Sequence, residues 1–182
     1  LINSADIAFL CLPDAAARES VSLVENDHVV IIDTSTAHRT EEGWAYGFPE
    51  LSKAHKEAII KGKRIAVPGC YASGFISLVY PLVAGDILPK DYPVSSFALS
   101  GYALSQSHKH LKEMQKITGI ERTPLFSPIV DDYYSGMVVS VPLYTDLLNG
   151  KQTPESLLAY FAEYYKGQEF IQVSAADDEI AQ

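Results

Sequence analysis

Cys70 is the residue of this chain best placed to act as a nucleophile. It lies in the segment 67–74, Val-Pro-Gly-Cys-Tyr-Ala-Ser-Gly, directly before an apolar run at 75–80. The pattern predicts a strand that ends at Val67, a turn, and a helix that begins at or just after Cys70. The first turn of a helix presents unpaired N–H groups and a positive dipole end, which stabilise a thiolate. The alternative is a buried structural cysteine, a common environment for this residue type.

A second group of reactive side chains lies at His108, His110 and Glu113. On a helix, His110 and Glu113 are three residues apart and share a face, whereas His108 and His110 do not. A histidine held by a neighbouring carboxylate is a common acid/base arrangement, since the carboxylate supports the imidazolium. The alternative is a solvated, charged helix start. The spacing does not match the His-Glu-x-x-His zinc pattern, so no metal is predicted.

A third group follows an apolar run, in the segment 33–39, Asp-Thr-Ser-Thr-Ala-His-Arg. Short hydroxyl side chains together with an arginine can hold a phosphate or a carboxylate. Asp, Ser and Thr also form local turns in which the side chain bonds its own backbone. The residues favour neither interpretation over the other.

The elements that would position these groups follow from the apolar runs. Runs at 6–12, 29–33 and 64–67 predict strands, and the segments 15–24 and 52–61 between them predict helices. Continuous apolar strands separated by helices indicate a parallel sheet that is buried on both faces. Ligands bind beyond the carboxyl ends of such strands. The residues after the three strands, 11–13, 33–35 and 68–70, should therefore share one rim. Cys11 lies within an apolar strand and is interpreted as structural or rim-lining.

The second half of the chain has a different pattern. Strands are predicted at 95–99, 125–130 and 137–143, and helices at 108–117 and 154–166. Strands that cluster with few helices between them indicate an α+β unit with an antiparallel or mixed sheet. Thr153 is suited to cap the last helix, with Pro154 at its first position. The fold class is therefore α/β, with a Rossmann-like parallel sheet followed by an α+β unit.

Composition narrows the possible partners. The 182 residues carry a net charge of −9, and the pI is about 4.9, which argues against nucleic-acid binding. No run approaches the ~18 apolar residues of a membrane span. The two cysteines lie far apart in different contexts, which fits a reducing, cytoplasmic setting rather than a disulfide framework. The eleven glycines form no Gly-x-Gly-x-x-Gly turn, the usual cradle for a dinucleotide pyrophosphate.

Five stretches, distributed between residues 9 and 114, resemble the shorter type of N-acetyl-gamma-glutamyl-phosphate reductase and occur in the order of that family. They are the segments 9–14, 32–39, 43–51, 67–74 and 108–114.

The resemblance implies an enzyme of arginine biosynthesis that reduces N-acetyl-glutamyl 5-phosphate to the 5-semialdehyde with NADPH and releases phosphate. It implies that Cys70 is the nucleophile and His110 the general acid/base, and that family members usually form homo-oligomers. The other residues to which it assigns a role are Glu113 and His108 as supporting residues, Cys11, Leu12, Pro13 and Ser35 along the cofactor, and Arg39 or Lys109 on a phosphate or the substrate carboxylate.

The chain departs from the family pattern at two glycine-rich segments. The first dinucleotide motif is missing, and so is a loop expected after Ser100 and Gly101. We therefore expect an incomplete sequence that lacks a leading segment, an internal loop near 101–102 and a C-terminal segment. Residues 1–67 would be the remnant of a dinucleotide-binding domain and 68–182 a catalytic domain. The alternatives are a cofactor-independent cysteine hydrolase or acyltransferase, and a non-catalytic fragment.

Overall fold

The first sheet is parallel throughout, and the loops with the candidate site residues follow the carboxyl ends of its strands. The computed structural model describes residues 1–99, 108–129 and 136–175. Its first four strands pair in the order β1-β2-β4-β3. Their bounds are β1 (Ile7–Leu10), β2 (Val30–Asp33), β3 (Ala45–Tyr46) and β4 (Arg64–Ala66). Because Leu10 pairs with Asp33 and Asp33 with Ala66, the carboxyl ends of three strands lie level.

Two helices connect these parallel strands, as the sequence predicted: α1 (Asp14–Ser22) and α2 (Lys53–Lys61). The prediction that every strand is buried on both faces is wrong for β1. This strand lies at the sheet edge, and Ile7 and Phe9 are 53% and 66% exposed. An edge strand pairs with one neighbouring strand only. Its apolar sequence therefore does not by itself show that other elements cover both of its faces.

The second sheet is mixed, as predicted. It has the order β6-β5-β7, with β5 and β6 parallel and β5 and β7 antiparallel. Its strands are β5 (Ser95–Leu99), β6 (Leu125–Ile129) and β7 (Val138–Ser140). The accompanying helices are α3 (Cys70–Ala84), α4 (His110–Thr118) and α5 (Pro154–Tyr164), and one-turn 3-10 helices lie at Ile2–Ser4, Pro49–Leu51 and Thr145–Leu147.

The main core surrounds α3, which begins with Cys70. Its buried side chains recur at helical spacing and pack against α4 and the second sheet: Tyr71, Ala72, Phe75, Ile76, Val79 and Leu82. Gly74 lets the helix approach β7, because a Cβ there would stand 2.6 Å from a methyl carbon of Val139. Burying one side chain such as Phe75 contributes about 1.5–3 kcal/mol. Cys70 therefore begins a helix that is anchored in the main core.

Several element ends follow from local chemistry. Thr153 accepts a hydrogen bond from the backbone of Ser156, and Pro154 is the first residue of α5, so the predicted cap is confirmed. In contrast, α4 begins at His110, two residues later than predicted. The two-residue strand β3 was not predicted. The predicted break near 101–102 lies outside the described residues. None of the helices in the described ranges is long and apolar enough to cross a membrane.

Candidate active site

Cys70 is the first residue of α3, as the sequence predicted, and its side chain is exposed. The chain enters the helix through Gly69, whose extended backbone (φ −75°, ψ 145°) makes it the N-cap residue. The Gly69 carbonyl accepts the first helical bond from the N–H of Ser73 at 2.8 Å. The thiol is therefore accessible and stands at the positive end of the helix dipole.

The ring of His110 lies against Gly69, the residue that precedes the nucleophile. A Cβ added at Gly69 would meet Nε2 of His110 and stand 2.6 Å from its Cδ2 atom. Only glycine permits this approach. The structure therefore places the His110 ring against the residue that precedes Cys70, although 40 positions separate Cys70 and His110 in sequence.

The environment of His110 keeps its ring neutral. The residue is 4% exposed, and its Nδ1 atom has no hydrogen-bond partner within the described part of the chain. Burial, followed by the positive charges of His108, Arg39 and Lys109, lowers the pKa of His110 to about 3. A neutral imidazole can accept a proton at physiological pH, so the site provides a base beside the nucleophile.

Glu113 does not bond to His110, so the predicted histidine–carboxylate pair is wrong. Its Oε1 atom accepts the hydroxyl of Tyr46 at 2.7 Å and the Gly69 N–H at 2.8 Å. Its Oε2 atom accepts a guanidinium N–H of Arg39 at 3.2 Å. Burial, followed by the adjacent carboxylate, raises the pKa of Tyr46, so its hydroxyl remains a donor. The Glu113 carboxylate therefore bonds to three donors from different parts of the chain and not to His110, which is only three residues away.

Arg39 connects the ends of two strands. It donates from Nε to the carbonyl of Val67 at 2.8 Å and from Nη2 to the carbonyl of Thr34 at 3.0 Å. With the bond to Glu113, three of its five N–H groups are used within the protein. Lys109 is exposed and borders a cleft of about 390 Å³. Of the two cations proposed to hold an anion, Lys109 is therefore the more accessible.

His108 contacts His110 directly, contrary to the expectation that the two would point apart. It precedes α4, and its Nδ1 atom accepts the backbone N–H of His110 at 3.2 Å. The two rings lie 4.6 Å apart, and Phe126 packs edge-on against His108 at 5.3 Å. The side chain thus acts as a local cap for the helix start, and burial, followed by the charge of Lys109, lowers its pKa.

The segment after β2 forms an Asx turn, one of the two interpretations that the sequence left open. The carboxylate of Asp33 accepts the N–H and the hydroxyl of Ser35 at 3.0 and 2.7 Å, and it contacts Nδ1 of His38 at 2.6 Å. His38 in turn stacks on Trp44 with ring centroids 4.0 Å apart. Ser35 is buried, and its hydroxyl also accepts the N–H of Ala37. These bonds fix the loop that carries Arg39.

The end of β1 contributes an exposed part of the rim. Cys11, Leu12 and Pro13 are exposed there, directly beside the segment after β2, since the N–H of Thr34 bonds to the carbonyl of Leu10. Three features of the site were not predicted from the sequence: the contact of His110 with Gly69, the Tyr46 hydroxyl on Glu113, and the buried Asp33–His38 contact. An aspartate that ends a strand two residues before a serine was the only local signal among them.

Two family models match this chain. Residues 1–59 match the semialdehyde dehydrogenase NAD binding domain, and residues 98–182 match the semialdehyde dehydrogenase dimerisation domain. Together they cover most of the chain and include the rim at β1 and β2 and the helix that carries His110.

Curated relatives include N-acetyl-gamma-glutamyl-phosphate reductases. The chain is 40% identical to that of Trichormus variabilis, over 98% of this chain and 65% of the relative. It is 43% identical to that of Sinorhizobium medicae, over 95% of this chain and 65% of the relative. The chain therefore spans about two thirds of their length. The first alignment runs over 208 positions, more than the 182 residues here, so that relative has internal residues that this chain lacks.

Solved structures with the same fold include aspartate semialdehyde dehydrogenases. The enzyme of Francisella tularensis superposes with a TM-score of 0.55 at 13% identity, over 89% of this chain and 64% of that one. The enzyme of Candida albicans, determined with NADP, gives 0.56 at 16% identity, over 86% of this chain and 55% of that one. At this identity the likeness shows the fold alone.

Proposed function

Because the chain belongs to the semialdehyde dehydrogenase family, we propose that the full-length protein reduces N-acetyl-glutamyl 5-phosphate to N-acetyl-glutamate 5-semialdehyde with NADPH, as a step of arginine biosynthesis. Curated relatives at about 40% identity carry the name of this activity, which supports the substrate. The observation that carries the chemistry is the neutral, buried imidazole of His110 packed on Gly69, next to the exposed thiol of Cys70.

The reductive direction begins with the thiolate of Cys70. Its Sγ atom attacks the acyl carbon, the bond from that carbon to the phosphate oxygen breaks, and inorganic phosphate leaves. The product is a thioester on Cys70, which accepts a hydride more readily than a carboxylate does. The exposed Lys109 is well placed to bind the phosphate or the substrate carboxylate, because its ammonium is not buried.

His110 acts as the acid/base on the oxygen of the reacting carbon. In the oxidative direction, the thiol of Cys70 adds to the aldehyde carbon, and its proton passes through His110 to the carbonyl oxygen, which becomes the hydroxyl of a thiohemiacetal. His110 then removes that hydroxyl proton as the carbon gives up its hydride, which NADP at the rim would accept, and the thioester forms. Phosphate then displaces the thiolate and regenerates Cys70. Because its pKa is lowered to about 3, His110 is unprotonated at neutral pH and can accept a proton in this step.

The rim fits the nicotinamide end of NADP. Leu12 and Pro13 form an exposed, apolar surface beside the Asp33–Ser35 turn, at the carboxyl ends of parallel strands. NADPH bound there would supply the hydride for the reaction. Cys11 would border the same surface, whereas the Ser35 hydroxyl already bonds to Asp33 and supports the turn. Both cysteines are free, and Cys70 must remain a thiol, so we place the enzyme in the reducing cytoplasm.

The decisive assay follows NADPH formation by the full-length protein from N-acetyl-glutamate semialdehyde and NADP. We expect NADPH to appear only when inorganic phosphate is present, because phosphate must displace the thiolate. Aspartate semialdehyde is the matched control substrate, since solved enzymes with this fold act on it by name, and it should turn over at least about tenfold more slowly. Thioester hydrolysis without any nucleotide, with no phosphate-dependent NADPH formation, would instead support a cysteine hydrolase.

We also propose that the full-length protein forms a homodimer through the exposed face of the second sheet. The residues of this sheet alternate between its faces: Ser96, Ala98 and Phe126 are buried in the core, whereas Leu125 is 64% exposed. The exposed side also includes Phe97 and Val138, which the strand register places on the same face. An apolar sheet face is a typical interaction surface. Residues 98–182 match a dimerisation domain, which supports a second copy as the occupant.

We therefore expect Leu125→Asp to weaken the dimer of the full-length protein by at least about 30-fold, because a charge would be buried without a partner. Light scattering coupled to size exclusion, over a dilution series, measures this change. Ile60→Asp is the matched control. Ile60 is 71% exposed and belongs to α2, which connects strands of the first sheet rather than the second. Equal dissociation of both variants would contradict this interface.

A further inference from the structure

Glu113 is a fully buried carboxylate whose partners come from three separate segments. It is 2% exposed and accepts hydrogen bonds from Tyr46, Arg39 and the backbone of Gly69. A buried carboxylate is costly unless it is paired and hydrogen-bonded, so all three partners contribute to keeping it there. None of these contacts involves the ring of His110, although His110 lies one helical turn away.

We propose that Glu113 is a positioning residue that acts on Cys70 through the Gly69 amide. The proposal rests on the function proposed above and adds a residue role to it. By accepting the Gly69 N–H at 2.8 Å, the carboxylate fixes the turn that enters α3. Because Glu113 and His110 belong to the same helix, the same bond sets the distance between the base and the nucleophile.

The other two partners hold the carboxylate in this place. Arg39 bonds to Glu113 and to the carbonyls at the ends of β2 and β4, so it connects α4 with the rim. Tyr46 approaches from β3 and donates its hydroxyl to the oxygen that also receives the Gly69 N–H. Loss of either partner would free the carboxylate and, through it, the turn before Cys70. A displacement of about 1 Å can reduce a rate by about 100-fold.

Three roles for Glu113 predict different signs for the reactivity of Cys70. As a positioning residue, its loss lets the thiol drift away from the helix N-terminus, so the thiolate is destabilised and alkylation slows. As a nearby negative charge, its loss would favour the thiolate, and alkylation would become faster. As a purely structural group, its loss would lower the melting temperature and leave the alkylation rate unchanged. The rate of alkylation near neutral pH therefore distinguishes the three.

The experiment uses Tyr46→Phe and Glu113→Gln in the full-length protein. Iodoacetamide labelling of Cys70 is followed over a pH series by peptide mass spectrometry. The exposed Cys11 is an internal reference thiol in every sample. Glu113→Gln keeps one acceptor oxygen but replaces the other with an NH2 donor, so the side chain can no longer accept from Gly69 and Arg39 together. We expect this variant to slow Cys70 labelling near neutral pH by about tenfold and Tyr46→Phe to slow it by about threefold. Labelling of Cys11 should not change.

Tyr165→Phe is the matched control. Tyr165 is as buried as Tyr46, and its hydroxyl donates one hydrogen bond at 2.6 Å, to the carbonyl of Ser77. The Tyr165→Phe substitution removes the same hydroxyl group and should lower the free energy of unfolding by a similar amount. Because Tyr165 does not bond to Glu113, Cys70 labelling should match the wild type. Tyr46→Phe keeps the test decisive if Glu113→Gln does not fold.

Faster labelling of Cys70 in Tyr46→Phe or Glu113→Gln, or an unchanged rate together with a lower melting temperature, would overturn the positioning role. Steady-state kinetics add a second readout: kcat should fall with labelling, while KM for the semialdehyde changes by less than about threefold. Labelling needs neither nucleotide nor substrate. A protein that shows the expected labelling but no phosphate-dependent NADPH formation would therefore contradict the proposed function and leave the positioning role supported.

Discussion

Replacing Cys70 with serine is expected to reduce phosphate-dependent NADPH formation by at least about 1,000-fold. A serine hydroxyl at the start of α3 is a much weaker nucleophile than the cysteine sulfur that it replaces. The hydroxyl oxygen therefore cannot form the acyl-enzyme at a useful rate. Because Cys70 and His110 act as one unit in the proposed reaction, loss of Cys70 alone should remove most of the activity. Initial rates with N-acetyl-glutamate semialdehyde, NADP and phosphate measure the loss.

The chain offers its own control for this substitution. Cys11 is also free and exposed, and it lies on the same rim at the end of β1. Cys11→Ser should retain more than about half of the activity, because the mechanism gives its sulfur no covalent role. A direct readout is the mass of the Cys70 peptide after a rapid acid quench with the acyl phosphate and no nucleotide, which should increase by the acyl group. Activity retained in Cys70→Ser, or acylation found on Cys11, would disprove the assignment.

The sequence predicted the elements of the fold because most of them depend on local patterns. The apolar, β-branched run that forms β2 and the start of α3 at Cys70 both appear where the spacing placed them. The errors concern information that is not local. The composition of β1 indicated a strand buried on both faces, but Phe9 is exposed because the strand lies at a sheet edge. The order of the strands determines which strand lies at the sheet edge, and this order depends on contacts between residues that are distant in sequence.

The start of α4 shows how a single side chain can move an element boundary. Helical spacing placed the beginning at 108, but the His108 ring accepts the backbone N–H of His110, so the helix starts two residues later. The same bond brings the His108 ring to within 4.6 Å of the His110 ring, which ideal helical geometry would not allow. His108 therefore contacts His110 through its ring and its Nδ1 atom, and its supporting role in the reaction stays a prediction.

The partners of Glu113 were beyond sequence reasoning for a similar reason. Local spacing suggested His110, three residues away, but the carboxylate bonds to Gly69, Tyr46 and Arg39, which lie 44, 67 and 74 residues away. Each of these donors can reach Glu113 only after the parallel sheet and α3 have formed. Local patterns therefore point to Cys70 and His110 as candidate reactive residues, whereas the groups packed around them depend on the completed fold.

Replacing His110 with asparagine is expected to reduce kcat by about 100- to 10,000-fold, the range associated with loss of a general acid/base. His110 provides a neutral ring nitrogen beside Cys70, because its pKa is lowered to about 3 by burial and by positive neighbours. His55→Asn is the matched control: His55 is also partly buried with a lowered pKa, but it lies on α2 and contacts Ser52 and Tyr80. Its activity should stay within about twofold of the wild type.

The pH dependence of stability tests the same assignment without substrate. The unfolded chain protonates His110 near pH 6.5, whereas the folded protein resists protonation until about pH 3. Between these values the unfolded state binds more protons, so the free energy of unfolding must fall as the pH decreases. His110→Asn should flatten that decline, measured by urea titration, by up to about 1.4 kcal/mol per pH unit. An asparagine variant that keeps the wild-type slope would show that the fold does not lower the pKa of His110, and would contradict burial as the cause of its neutral state.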